Sequence, residues 1–216
     1  MKILHMDDHL ILLDKPAGLP VLPDGWDKDA PFLVRMLEAE YGRIWIVHRL
    51  DKVTSGLILF ARTAEAHRSL SIQFEKHEVN KIYHALAEGD PRWEEHTARH
   101  PLRANVGHKH RTVVDNRVGK PTETNFRVLE RFTGFCLLEA IPETGRTHQV
   151  RVHAAELGHP LLADALYGAR KDLGLARPAL HARALTFTHP ASHELMKFES
   201  DYPQDFLTVL NRSRTG

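Results

Sequence analysis

The chain has a single cysteine among its 216 residues, so no internal disulfide can staple the fold, and such usage fits a reducing compartment. That residue, Cys136, lies in the apolar run Phe135-Cys136-Leu137-Leu138 and reads as core, not as a nucleophile. Long hydrophobic runs are also missing, which excludes a transmembrane helix. The opening Met1-Lys2-Ile3-Leu4-His5-Met6-Asp7-Asp8 is interrupted by acidic residues and lacks the apolar region of a secretory signal. A cytoplasmic protein with no membrane attachment is therefore expected. No internal repeat and no low-complexity linker is present. Pro142-Glu143-Thr144-Gly145-Arg146-Thr147 lacks the glycine spacing and the lysine of a phosphate-cradling loop. Sixteen histidines are present, yet pairs such as His108 with His110, or His148 with His153, have no further ligands at zinc-type spacing, so no metal site is expected.

An excess of one sign of charge is lacking as well. With 29 basic and 28 acidic residues the formal net charge is +1, which does not by itself announce a nucleic-acid binder. Distribution matters more for a polyanionic partner. Basic residues gather in Lys15, Arg49, Lys52 and Arg62, then in Arg99, Arg103, Lys109, His110, Arg111, Arg117 and Lys120, and again in Arg146 and Arg151. The acidic residues fall largely elsewhere, in Glu38 to Glu40, at Asp90, in Glu94-Glu95 and in the C-terminal Glu194 to Asp205.

What is there suffices for a sizeable core, with 42% hydrophobic residues. Length alone permits one domain or two. Leu10 to Leu13 reads as a buried strand ended by Lys15-Pro16-Ala17-Gly18. Pro31 followed by Phe32, Leu33, Met36 and Leu37 has helical spacing. Ala64 to Lys76 reads as an amphipathic helix, and Thr147 to Leu157 as a helix stopped at Gly158 with Pro160 beyond. Strands are expected at Ile44 to Val47, Leu57 to Phe60, Tyr83 to Glu88, Thr124 to Glu130, Phe135 to Ile141 and Leu185 to Thr188. Strands dominate and helices punctuate them, so the class is α+β with a mixed, largely antiparallel sheet. Trp93 to Lys120 has no apolar period and is expected to be an irregular, substrate-contacting loop.

One stretch carries a chemical suggestion. His48-Arg49-Leu50-Asp51-Lys52-Val53-Thr54-Ser55-Gly56 sets a carboxylate between two basic residues in the connection between two strands, and rigidly held loops are where catalytic groups tend to sit. On this segment alone a plain turn is the stronger account, because Asp, Ser and Gly all make turns.

Agreement with distant segments changes that balance. The string resembles the signature of the RluA-type pseudouridine synthases. Lys15-Pro16-Ala17-Gly18-Leu19-Pro20, Lys81-Ile82-Tyr83-His84-Ala85-Leu86, Gly145-Arg146-Thr147-His148-Gln149-Val150-Arg151-Val152-His153, Asp164-Ala165-Leu166-Tyr167-Gly168 and Leu180-His181-Ala182 follow in the family's order. The resemblance implies a pseudouridine synthase fold, with a bisected, largely antiparallel sheet, flanking helices and a central active-site cleft. It implies residues 1–216 as one catalytic domain, without the accessory RNA-binding domain that many relatives carry. It also implies a cofactor-independent, monomeric isomerase with no obligate protein partner, acting on ribosomal RNA, transfer RNA or both.

The site residues come with the resemblance. Asp51 is the implied catalytic carboxylate; whether it attacks the ribose, attacks the uracil or removes a ribose proton stays open. Arg151 is the implied charge partner. Tyr83 is the implied ring beneath the uracil, and Leu180 packs against the target base, with a half-buried strand tyrosine and a core leucine as the plain alternatives. Arg49 is implied to fill the gap left by a flipped base, and His48, Thr54, Ser55 and Gly56 to shape the loop. Arg146 reads as a phosphate contact, as do Lys109, Arg111 and Lys120. Asp164 reads as closing a turn. A non-catalytic RNA-binding or ribosome-maturation factor on the same fold is one rival. A nucleoside hydrolase is the other, though that chemistry ordinarily needs a second carboxylate.

Overall fold

In the computed structural model, which describes residues 1–23, 30–108 and 110–215, the chain alternates strands and helices from its second residue. In order these are β1 (Lys2–Met6), β2 (Leu10–Lys15), α1 (Leu33–Tyr41), β3 (Trp45–Ile46), β4 (Ser55–Ala61), α2 (Ala64–Glu75), β5 (Asn80–Glu88) and β6 (Glu95–Ala98). There follow β7 (Leu102–Val106), β8 (Arg111–Val114), β9 (Thr124–Phe132), β10 (Phe135–Pro142), α3 (Gln149–Glu156), β11 (Leu180–Thr188), β12 (Leu195–Glu199) and α4 (Gln204–Thr215). The class is α+β with largely antiparallel pairing. Two compact units result, one made of Met1–Asn80 with Ala182–Asp201, the other of Lys81–His181 with Tyr202–Gly216.

In the first unit the strands run β1-β2-β4-β11, with β3 added to β4 and β12 to β11. Every residue of β4 is buried, so this strand has a continuous apolar run where a half-exposed strand would alternate. Leu10 and Leu12 of β2 join Leu57 and Leu59 of β4, Leu185 and Phe187 of β11, and Ala66 and Leu70 of α2 in one cluster. Thr63 caps α2 by accepting the Ala66 amide at 3.1 Å, which satisfies one of the amides a helix start leaves open.

The second unit orders its strands β5-β10-β9-β6, all antiparallel. Its sheet is covered on both faces. Ala85 and Ala87 of β5 pack with Val150 and Ala154 of α3, while Leu86, between them in sequence, packs with Phe206, Val209 and Leu210 of α4. Alternation along β5 therefore sends odd-numbered residues toward α3 and even-numbered ones away. Cys136 lies in the α3-side cluster, where burial pushes its thiol pKa up to about 12, so it is unreactive near neutrality.

The segment Trp93 to Lys120 is not the irregular loop expected. It contains β6, paired with β9, and the antiparallel hairpin β7-β8. The hairpin presents one narrow buried line, through Leu102 and Thr112, while most of its other residues face water. That leaves too few apolar positions for a visible period of two.

Candidate active site

The Asp51 loop is tied down before any chemistry is considered. Lys15, fully buried, donates from Nζ to the carbonyls of Pro16 and Leu19 at 2.9 Å each and to that of Lys52 at 3.3 Å. The Gly18 amide meets the same Lys52 carbonyl at 2.8 Å. The Lys15-Pro16-Ala17-Gly18 turn thus holds the residue next to Asp51, and the Thr54 amide closes the loop onto the Asp51 carbonyl at 3.0 Å.

His48 enters the loop from the other side. Its Nε2 accepts the Leu59 amide at 3.0 Å, so its ring proton resides on Nδ1, and the ring stacks on Phe74 with centroids 4.6 Å apart. Leu50 is buried, which directs its neighbours Arg49 and Asp51 outward: Arg49 is exposed and Asp51 partly so. Gly56 is required twice over, since its φ is +107° and an added Cβ would come within 2.3 Å of the Ala182 carbonyl oxygen.

In the second unit α3 presents an almost wholly buried helix, Gln149 through Ala154. The Gln149 amide group takes part in four hydrogen bonds. Its Oε1 accepts from the Thr144 hydroxyl at 2.6 Å and the Arg146 amide at 3.1 Å, and its Nε2 donates to the Glu123 carbonyl at 2.9 Å and to Thr124 Oγ1 at 3.0 Å. Thr124 Oγ1 lies 2.9 Å from His153 Nδ1, and His153 Nε2 lies 3.0 Å from Thr122 Oγ1. Since Thr122 gives its proton to the His100 carbonyl, the His153 proton belongs on Nε2. Burial lowers the His153 pKa to about 4, keeping the ring neutral. Much of the Gly145–His153 signature is thus a hydrogen-bonded staple.

Arg151 is the exception. Buried to 5% exposure, it makes a two-pronged ion pair with Asp164, Nε to Oδ2 at 2.7 Å and Nη2 to Oδ1 at 2.8 Å. Such a fork fixes the guanidinium plane. The Tyr167 ring lies 5.0 Å from its Cζ. The Tyr167 hydroxyl accepts the Thr112 amide of β8 at 3.0 Å and meets His148 Nδ1 at 2.8 Å, so the arginine and the hairpin share one tyrosine. Asp164 does close a turn, through its carbonyl to the Tyr167 and Ala169 amides, but its carboxylate has this second duty.

Tyr83 and Leu180 come together, since the tyrosine packs on the α3-side cluster that includes Leu180 and Val150. Arg146, Arg111 and Lys120 are exposed, and Lys120 is bonded through its backbone to Leu102 at the base of the hairpin. Lys109 lies outside the described residues. A groove of about 440 Å³ opens on the opposite face of the second unit's sheet, lined by residues that include Ile82, Glu95, Asn125, Arg127 and Glu139. It lies away from the Tyr83 face. Among the described residues no group of three His, Cys, Asp or Glu side chains is placed to hold a metal ion, and no helix is long and apolar enough to cross a membrane.

A family model described as RNA pseudouridylate synthase matches residues 9–156. Ribosomal large subunit pseudouridine synthase D of Nitrosomonas europaea is 42% identical over 234 residues, covering 99% of this chain and 65% of that protein. The protein of the same name from Pseudomonas aeruginosa is 39% identical, covering 99% of the chain and 72% of its own length. The chain thus spans about two thirds of the length of these relatives. Human RNA Pseudouridylate Synthase Domain Containing 4 superposes with a TM-score of 0.80 at 26% identity, over 99% of this chain and 93% of that one.

Proposed function

Because the chain belongs to the RNA pseudouridylate synthase family, we propose that it isomerises specific uridines of large-subunit ribosomal RNA to pseudouridine. Transfer RNA is the second substrate class to test. The reaction breaks the bond between ribose C1′ and uracil N1, turns the base and joins C1′ to C5. The C5 proton is released and N1 gains one. It is redox-neutral and consumes no water, so the proposal includes no cofactor. Residues 1–216 act as one catalytic domain, as a monomer in the cytoplasm.

Asp51 supplies the essential carboxylate and Arg151 is its charge partner. The Tyr83 ring stacks on the uracil, Leu180 packs against it, and Arg49 fills the space the flipped base leaves. Arg146, Lys109, Arg111 and Lys120 contact phosphates. The observation that carries the reading is the investment around one outward-facing carboxylate: a fully buried lysine, a histidine ring and an obligatory glycine all hold the Asp51 loop. A plain turn needs none of this.

The test is tritium release from RNA labelled at uracil C5, with product mapped as pseudouridine. Wild-type protein should release tritium without added nucleotide, and Asp51→Asn should release none while binding the RNA as before. Free uracil as the main product would establish the hydrolase instead. RNA binding with no turnover on ribosomal or transfer RNA would establish the non-catalytic factor.

A further inference from the structure

Lys81 opens the Lys81–Leu86 motif, and the proposed chemistry gives its charged side chain no role. It lies on β5 two residues before Tyr83, so both side chains project from the same face, the one that packs on α3. Only 9% of the residue is exposed. Among the described residues no hydrogen bond or ion pair satisfies its ammonium. The nearest influence of opposite sign is the exposed Glu143 carboxylate, acting at longer range. Contrast Lys15, whose buried ammonium meets three carbonyls.

Its stem is buried and its ammonium, though not fully buried, is partly desolvated without a protein partner among the described residues. Partial desolvation of a charge costs stability, and nothing in the packing of β5 needs a charge there. Methionine would fill the same volume at no electrostatic cost. We propose that Lys81 is an anion-binding residue of the substrate site, its ammonium receiving negative charge of the nucleotide whose base stacks on Tyr83. Two residues along a strand span about 6.7 Å, a distance that reaches from a stacked base to its flanking phosphate or to the far edge of the ring.

The anion has two candidate sources. One is a backbone phosphate of the RNA. The other is the uracil itself, which keeps the electron pair of the broken glycosidic bond and spreads the charge onto its carbonyl oxygens, where a fixed cation favours the transition state. In line with a group awaiting an anion, burial holds the Lys81 pKa below that of an ordinary lysine, with Glu143 opposing.

The inference rests on the proposed activity, and the experiment uses an RNA that the wild-type protein turns over, so an inactive wild type would count against the activity and not against Lys81. Lys81→Met and Lys81→Arg are compared with wild type in thermal unfolding, in RNA affinity against salt and in single-turnover rate at saturating RNA. Lys81→Met should melt no lower than wild type. With a phosphate partner, the slope of log affinity on log salt falls by about 0.7 to 0.9 and the rate is kept. With a uracil partner the slope is kept and the rate drops roughly a hundredfold. In either case Lys81→Arg recovers part of the loss. A Lys81→Met protein with wild-type slope and rate overturns the proposal. So does one that melts several degrees lower, because the ammonium would then be serving the fold.

Discussion

Replacing Asp164 by asparagine tests the least expected feature of the molecule, the ion pair beneath Arg151. The two side chains are 6% and 1% exposed, so solvent screens the pair little. Removing one member of a buried pair costs about 3 to 5 kcal/mol. Asparagine keeps one oxygen and so retains one hydrogen bond to the guanidinium, worth about 1.5 kcal/mol. The net loss is then about 2 to 4 kcal/mol, and at roughly 2 to 4 °C per kcal/mol for a chain of this size the melting temperature should fall by about 4 to 16 °C. Turnover should fall as well, since the fork that orients Arg151 is halved, while RNA affinity set by exposed cations should not move. Calorimetry and single-turnover tritium release measure the two effects. A melting temperature within about 2 °C of wild type, together with an unchanged rate, would refute the reasoning.

Acid should weaken the second unit through His153. Its folded pKa of about 4 lies below the unfolded value near 6.5, so the unfolded chain binds the extra proton first as pH falls. Stability is then full above about 6.5 and declines by about 3 kcal/mol on the way to 4; His153→Gln should flatten that limb in denaturant titrations, and an unaltered slope would acquit the residue. Gly56→Ala should cost more than about 2 kcal/mol and abolish activity, because a Cβ meets the Ala182 carbonyl in a backbone region that side chains avoid; an active, equally stable variant would contradict the close approach. Neutralising Lys109, Arg111 and Lys120 together should weaken RNA binding and reduce its salt slope by roughly 2 to 3 with little effect on the saturated rate, and a wild-type slope would mark the hairpin as solvated surface.

The parts of the fold legible in the sequence are those that bury a long, regular face. Leu10 to Leu13 could be read from a continuous apolar run ended by a turn, and Ala64 to Lys76 from its helical period, in which every third to fourth residue repeats the same environment. The hairpin β7-β8 could not, as one buried leucine and one buried threonine make no pattern. Helix α4 is hard to read in the sequence for a different reason. Phe206, Val209 and Leu210 have the spacing of a helical stripe, but they make a short stripe in a largely polar C-terminal segment.

The site divides along similar lines. Motif resemblance singles out Asp51, Tyr83 and Arg151, because these are residue types whose chemistry a reaction can use. It could not tell that Asp164 holds Arg151, since a turn-closing aspartate and an ion-pairing one look alike until the guanidinium is placed 2.7 Å away. Nor could it separate Lys15 from Lys81. Both are lysines opening a matched motif, and only three-dimensional packing shows that the first has carbonyls for its ammonium while the second has no such shell among the described residues. That difference is what converts a shared residue type into two predictions of opposite sign. Removing the Lys15 charge strips donors from a satisfied network and should loosen the Asp51 loop. Removing the Lys81 charge relieves an unfavourable burial, so any loss of activity there must be sought in the bound RNA.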